Sequence, residues 1–303
     1  MTGTAASHTA GRRMWRRFLR HRLAIGSGGV LAALALLSLA APLVEAALGV
    51  DADTANLLAR LQGPTWPHLL GTDELGRDHF VRLLYGGRVS LAIAIVAALF
   101  SAVIGTAIGL VAGYYGGRAD ALLMRFTDGV IALPLLPLLI VLAAVDLTKL
   151  GIAEEVARSE EVGLYRIVAI IALVGWTTVA RLVRAETLAM KGREFVKAAV
   201  ALGAKPARIM LVHILPNVVS PIVVATTLSV GNIILFESVL SFLGLGIQPP
   251  VASWGNMLTN AQELIWSAPE LATWPGLLIF VTVIAFNFLG DGLQDAMDPR
   301  ALD

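Results

Sequence analysis

The sequence predicts an all-α membrane protein with six transmembrane helices and both termini in the cytoplasm. Three observations lead there. Of 303 residues, 57% are hydrophobic and 15% charged, against about 45–50% apolar and about 25% charged in soluble domains. Uncharged runs long enough to cross a bilayer recur along the chain, and lysine and arginine gather in alternate connections between them. The absence of cysteine excludes disulfides, thiolate metal sites and a cysteine nucleophile. A net charge of +1 selects no nucleic-acid partner.

Residues 1–22 form a basic amino-terminal segment with Arg12, Arg13, Arg16, Arg17, Arg20 and Arg22 and no acid. The first membrane segment, 23–48, contains the uncharged run Leu23–Val44. At about 1.5 Å per residue it spans a bilayer core of about 30 Å. Arg16-Arg17-Phe18-Leu19 resembles a twin-arginine signal, but the apolar run exceeds the 7–15 residues usual in such a signal and further spans follow.

Residues 49–88 read as a polar, solvated extracytoplasmic loop containing GTDELGRDHFVRLLYGGR from Gly71 onward. The second span, Val89–Val111, is uncharged, and Ser101, Gly105, Gly109 and Gly113 recur every fourth residue along it and just beyond. Such a stripe lets a second helix approach closely in lipid, so these four are assigned to helix packing. A short polar link, Tyr114–Asp128, leads to the third span, Gly129–Val145. Pro134 and Pro137 should kink that span, and kinks often border cavities. After an acidic loop with Asp146, Glu154, Glu155, Glu160 and Glu161, the fourth span has only Ile167–Ala180 free of charge. Arg166 and Arg181 must then reach toward the interfaces.

The fifth span is Val218–Phe236 and the sixth lies within Leu271–Gly290. The loop between them, Ser241–Glu270, has no lysine or arginine, and its Trp254 and Trp266 suit a membrane boundary. With six spans, the amino terminus, the second link, the region from Arg181 to Asn217 and the tail hold 16 of the 23 Lys and Arg residues. The bias places these four in the cytoplasm. The core thus runs 89–290, followed by a cytoplasmic tail, 291–303.

Between spans four and five lies a basic island, FVKAAVALGAKPARIMLVHILPN, residues 195–217. It reads as helix, sharp turn, helix. Gly203 permits the turn, Pro206 suits the first turn of the next helix, and Ala198, Ala199, Ala201 and Ala204 leave room for another protein to approach. Lys197, Lys205 and Arg208 flank them.

Catalytic signatures are absent. There is no GxxxxGK[ST] phosphate loop, no HExxH and no nucleophile elbow, and the five histidines lack ligand spacing. No catalytic or metal residue is therefore assigned. Ionisable groups by the spans are Asp128, Glu237 and Asp291, all at span ends, where interfacial solvation and packing explain them. Asn232 and Asn287 lie deeper and are expected to hydrogen-bond to neighbouring helices. Pro134, Pro137, Asn232, Glu237 and Asn287 are the candidate pathway or gate residues.

The island resembles the EAA loop of ABC importer permeases, whose consensus is EAA, three residues, Gly, nine residues, then I-x-L-P. The matching positions are Ala198, Ala199, Gly203, Leu215 and Pro216. Lys197 stands where the family usually has Glu, so a salt bridge is not carried over at that position. His213 stands where the general consensus has Ile, and HILPN resembles the peptide-importer version. GTDELGRDHFVRLLYGGRVSL, LSFLGLGIQPPVASWGNML and LGDGLQDAMDPR are also similar to the dipeptide, oligopeptide and nickel permease subfamily, specifically its C-type subunit.

The resemblance implies a type I ABC importer permease fold and one copy per transporter in a bacterial or archaeal cell membrane. It implies a second homologous permease chain, two cytoplasmic ATPase subunits that bind ATP and Mg, an extracytoplasmic substrate-binding protein, and lipid as surroundings. No cofactor would sit on this chain. ATPase docking falls to Lys197, Ala198, Ala199, Gly203, Ala204, Leu215 and Pro216. The cargo would be a di- or oligopeptide or a related solute such as a nickel chelate. A stand-alone secondary transporter would show inverted repeats and broken spans with central charges. A membrane-anchored enzyme would show a nucleophile or a metal cluster.

Overall fold

A computed structural model describes residues 14–157, 159–259 and 261–297 of this chain. Arg12, Arg13, Arg158 and Arg300, counted in the charge bias, lie outside the described residues. The described fold is helical. Four helices are long and apolar enough to cross a membrane, and two bent helix pairs raise the number to six if each pair is one crossing.

The first crossing is α1, Arg22–Leu39, continued after a break at Ala40 by α2, Ala41–Leu48, whose end Gly49 closes in a left-handed conformation. The longest helix is α3, His79–Tyr115, of 37 residues. At about 1.5 Å per residue its length of roughly 55 Å exceeds a bilayer core of about 30 Å. It starts ten residues before the expected span because Asp78 caps it, its side chain accepting from the Val81 N–H at 2.7 Å. The chain is therefore helical from His79 onward, and Asp73, Arg77 and Asp78 of the GTDELGRD stretch are buried instead of solvated, as are His79 and Arg82 of the helix: all five are less than 9% exposed.

The expected third span is two helices. α4, Gly117–Ala132, takes up most of the supposed link, and α5, Leu135–Ala143, follows at an angle of 86°. Proline disfavours helical geometry in the residue before it, and Leu133 and Pro134 are both extended. Pro134 therefore breaks the span, whereas Pro137 falls in the first turn of α5, where no helical N–H is lost. The fourth crossing is α6, Glu160–Gly175, and α7, Thr177–Lys191, bent by 41° at Trp176. Arg166 donates to the Val145 carbonyl at 2.9 Å, and Arg181 pairs with Asp128 at 2.5 Å, so neither needs the headgroup region alone.

The island supplies α8, Glu194–Ala201, and the start of α9, which runs Pro206–Phe242. The last helix is α10, Glu270–Met297. α3 is the axle of the bundle, packed against α1, α6, α7 and α9, while α9 pairs with α10 and α10 with α1. His21, just before α1, lies 3.5 Å from Asp295 near the end of α10, and Gly290 of α10 packs on Leu228 of α9. The start of α1, the end of α10 and the island thus share one end of the bundle. The opposite end, which the charge bias assigns to the outside, is called outer below.

Two apolar cores serve the two ends. The larger joins Leu83, Leu91, Ala94, Ile167, Ile171, Ile234 and Leu240. Trp254 belongs to it at 1% exposure, correcting its expected place at a membrane boundary. Gly86 and Gly87 admit its ring, and its Nε1–H donates to the Leu83 carbonyl at 2.9 Å. Trp266, by contrast, is 93% exposed.

Candidate coupling surface and its outer counterpart

The island folds as a bracket. α8 ends as Leu202 N–H and Gly203 N–H bond back to the Ala198 and Val200 carbonyls, and Gly203 turns the chain at φ 76°. Lys205 is extended and Pro206 opens α9. One face is anchored: Val196, Ala199, Ile209, Ile214 and Val218 are buried with Val179 and Val183 of α7 and Leu110 of α3. The other face carries Lys197, Ala198, Val200, Gly203 and Lys205, all exposed, with Leu202 at 87% exposure. Ala204 and Leu215 are half-buried and Pro216 is exposed.

α9 carries a π-helical stretch, Ile209–Ile214, in which the Leu215 N–H reaches the Met210 carbonyl. Pro216, which has no N–H and whose ring crowds the preceding turn, accounts for this widened turn.

The bracket is tied to α3 through α7. The stripe of small residues faces α7 along its length. A Cβ on Gly105 would lie 2.5 Å from the Trp176 carbonyl oxygen, one on Gly109 2.6 Å from that of Ala180, and one on Gly113 2.6 Å from Thr187 Cβ. Ser101 meets Gly175 at the top of the seam. Arg184 of α7 grips Asp120 of α4 with Nε and Nη2 at 2.5 and 2.6 Å. Lys191 donates to the Tyr114 carbonyl at 2.5 Å.

At the outer end, Asp73, Glu74, Leu75 and Gly76 form a tight turn beside the Thr72–Asp78 bridge. Gly76, at φ 74°, lies against the Asn56 carbonyl, where a side chain has no room. Asp73 accepts two backbone N–H groups with Oδ1, and its Oδ2 takes Arg77 Nε at 2.8 Å and Nη2 at 2.7 Å. Arg82 adds a longer contact to Asp73 at 3.5 Å and donates to the Ala52 carbonyl at 3.0 Å. His68 lies 2.9 Å from Asp78. In the loop ahead of this turn, the Asp53 N–H, the Thr54 hydroxyl and the Thr54 N–H hold the Asp51 carboxyl below the usual carboxylate range.

The candidate gate residues separate. Pro134, Pro137, Asn232 and Asn287 are exposed. Neither asparagine side chain bonds to a neighbouring helix among the described residues, contrary to expectation, because both are exposed. Glu237 is fully buried instead of solvated at an interface. Its oxygens accept from Ser90 Oγ at 3.0 Å and Ser241 Oγ at 2.8 Å. The sequence reading missed Ser90, Ser241 and Arg82 and misplaced Trp254. The Gly86-Gly87 pair and the four-residue spacing of Asp73 and Arg77 were the available signals.

Family models match two parts of the chain: the binding-protein-dependent transport system inner membrane component over residues 105–303, and the N-terminal TM domain of oligopeptide transport permease C over residues 9–64. A glutathione transport system permease protein, GsiD of Pectobacterium atrosepticum, is 41% identical over 96% of this chain and 92% of its own length. A dipeptide transport system permease protein, DppC of Alkalihalophilus pseudofirmus, is 38% identical over 95% and 90%. An oligopeptide transport system permease protein, OppC of Haemophilus influenzae, is 37% identical over 96% and 90%. Among solved structures, the MetNI methionine ABC transporter in inward-facing conformations aligns with TM-score 0.55 and 18% identity, over 73% of this chain and 97% of that one. An amino acid ABC transporter aligns with TM-score 0.50 and 17% identity, over 70% and 91%. At such identities the likeness shows the fold.

Proposed function

We propose a function for this chain on the ground that it belongs to the inner membrane components of binding-protein-dependent transport systems, as its match over residues 105–303 establishes. It is a multi-pass membrane permease subunit of an ABC importer, and the peptide permeases that align with nearly its whole length make peptides its cargo class. The membrane is the inner membrane of a bacterium.

In our reading, ATP and Mg sit on two cytoplasmic ATPase subunits, a second homologous permease completes the pathway, and an extracytoplasmic binding protein delivers the peptide. The bracket of α8 and the start of α9 docks in the ATPase. One observation carries that assignment: its inner face is buried against α7 and α3, whereas Lys197, Ala198, Val200 and Leu202 are left uncovered. Closure of the ATPases on ATP would push the bracket, and α7 would carry the push to α3 along the seam. Transport then alternates between two states that differ in ATP affinity. Asn232 and Asn287, polar and outward-facing within spans, suit the pathway or the second permease.

Gly203→Asp tests the docking. No atom lies within 4 Å of a Cβ at Gly203, so the change spares packing while its positive φ strains the turn. We expect the protein to remain in the membrane and ATP-driven peptide uptake by the assembled transporter to collapse. Uptake that persists at the wild-type rate refutes the assignment. Peptide uptake into liposomes by this chain alone would favour a secondary transporter instead.

A further inference from the structure

The outer loop 244–256 is bound to two helices at once. Its Ile247 N–H donates to Ser241 Oγ at 3.0 Å, and the Ser241 hydroxyl donates to Glu237. Its Trp254 N–H donates to Ser90 Oγ at 3.2 Å, and the Ser90 hydroxyl donates to the other oxygen of Glu237. Two relays of the same kind, backbone N–H to serine to carboxyl, thus converge on one side chain that is 0% exposed. Ser90 belongs to α3, and Ser241 and Glu237 to α9.

The backbone is equally close. A Cβ on Gly255 would lie 2.5 Å from Ser238 Cα, and one on Gly246 would collide with Ser241. The loop separates two cavities, of about 250 Å³ and about 540 Å³. Gly244, Ile247, Gln248 and Pro249 line both.

We infer that Glu237 is a positioning residue for transport: it clamps the outer loop to α3 and α9, so that this wall moves with the two helices as one body when the importer changes state. A buried carboxyl group that loses an acceptor oxygen leaves a serine hydroxyl unpaired, and chained hydrogen bonds fail together. The inference rests on the importer reading for its effect on uptake, while the clamp itself is judged by distance.

The chain has no cysteine, so Leu58→Cys and Gln248→Cys introduce the only thiols in it. Both positions are exposed, one in the outer cap on α3 and one in the loop. Spin labels there, in the transporter assembled with its partners in lipid nanodiscs, report their separation by pulsed EPR. We expect one narrow distance distribution, the same without nucleotide and with ATP trapped. Glu237→Gln keeps the size of the side chain and replaces one acceptor by NH₂. It should broaden the distribution and lower ATP-driven uptake at least fivefold, while a packing role alone leaves both at wild-type values. Ser90→Ala and Ser241→Ala, each cutting one relay, should give intermediate broadening and carry the test should Glu237→Gln fail to assemble. A wild-type distance that shifts with nucleotide, or a narrow distribution in Glu237→Gln, overturns the clamp. Absence of uptake by the wild-type complex would instead refute the importer reading and leave the distance result standing.

Discussion

At the outer end of the bundle Asp73, Arg77, Asp78 and Arg82 are buried and bonded to one another or to the backbone. At the inner end Arg193, Lys197, Lys205 and Arg208 are exposed and make no ion pair among the described residues. Both ends read from the sequence as polar segments between spans. The outer charges hold the chain to itself, in a cap that fixes the start of α3. The inner charges have no such partner among the described residues, and the docking proposed for the bracket would set an acidic or neutral surface opposite them. Charge count therefore says little about role, and the partner of each charge says much.

Breaking the outer end is expected to harm the protein most. Asp73→Ala leaves Arg77 and Arg82 buried without their shared carboxylate, and loss of one member of a buried pair costs about 3–5 kcal/mol. Thermal unfolding of the purified protein in detergent should show a marked drop, or the membrane yield should fall. A midpoint within error of wild type would mean the outer cluster is solvated after all.

The seam between the two ends comes next. Gly109→Leu drives a side chain into the Ala180 carbonyl, and overpacking of this kind costs about 1–3 kcal/mol. Gly26→Leu, in α1 with no atom within 4 Å of the added Cβ, is its control. Equal melting of the two variants would remove the seam from the path between the ends.

Asp120→Asn loosens the partly exposed grip of Arg184, for which a loss of at most about 1 kcal/mol is expected. Raised salt should shrink the difference between this variant and wild type. A loss as large as that of Asp73→Ala would erase the contrast between a buried and a partly exposed ion pair.

Lys197→Glu should hardly change stability, by less than about 0.5 kcal/mol, because the side chain is exposed. Its effect should appear in function, as weaker copurification of the ATPase subunits and weaker ATPase stimulation by loaded binding protein. Unchanged stimulation would show that Lys197 does not face the ATPase.

Much of the fold was legible in the residues. Uncharged runs fell within the long apolar helices without giving their ends, and small residues every fourth position marked the seam, because helical periodicity puts Ser101, Gly105, Gly109 and Gly113 on one face whatever lies opposite. Gly203 and Pro206 marked the bracket because their backbone preferences are local. The break at Pro134 was legible as a disturbance but not in size, since proline forbids geometries without choosing the angle that neighbouring helices impose.

By itself, then, the sequence determined that the chain is built of apolar helices long enough to cross a membrane and which turns are tight, from hydropathy and local backbone chemistry. Only the tertiary structure decided that Trp254 is core, that Arg82 and Asp73 are buried together, and that Glu237 takes its hydrogen bonds from Ser90, 147 positions away, as well as from nearby Ser241. Burial and hydrogen-bond partnership are properties of a pair, and the second member of each distant pair is set by how helices and loops pack. The island shows the same division: its helix–turn–helix form was written in local residues, while its division into one anchored and one uncovered face came from contact with α3 and α7.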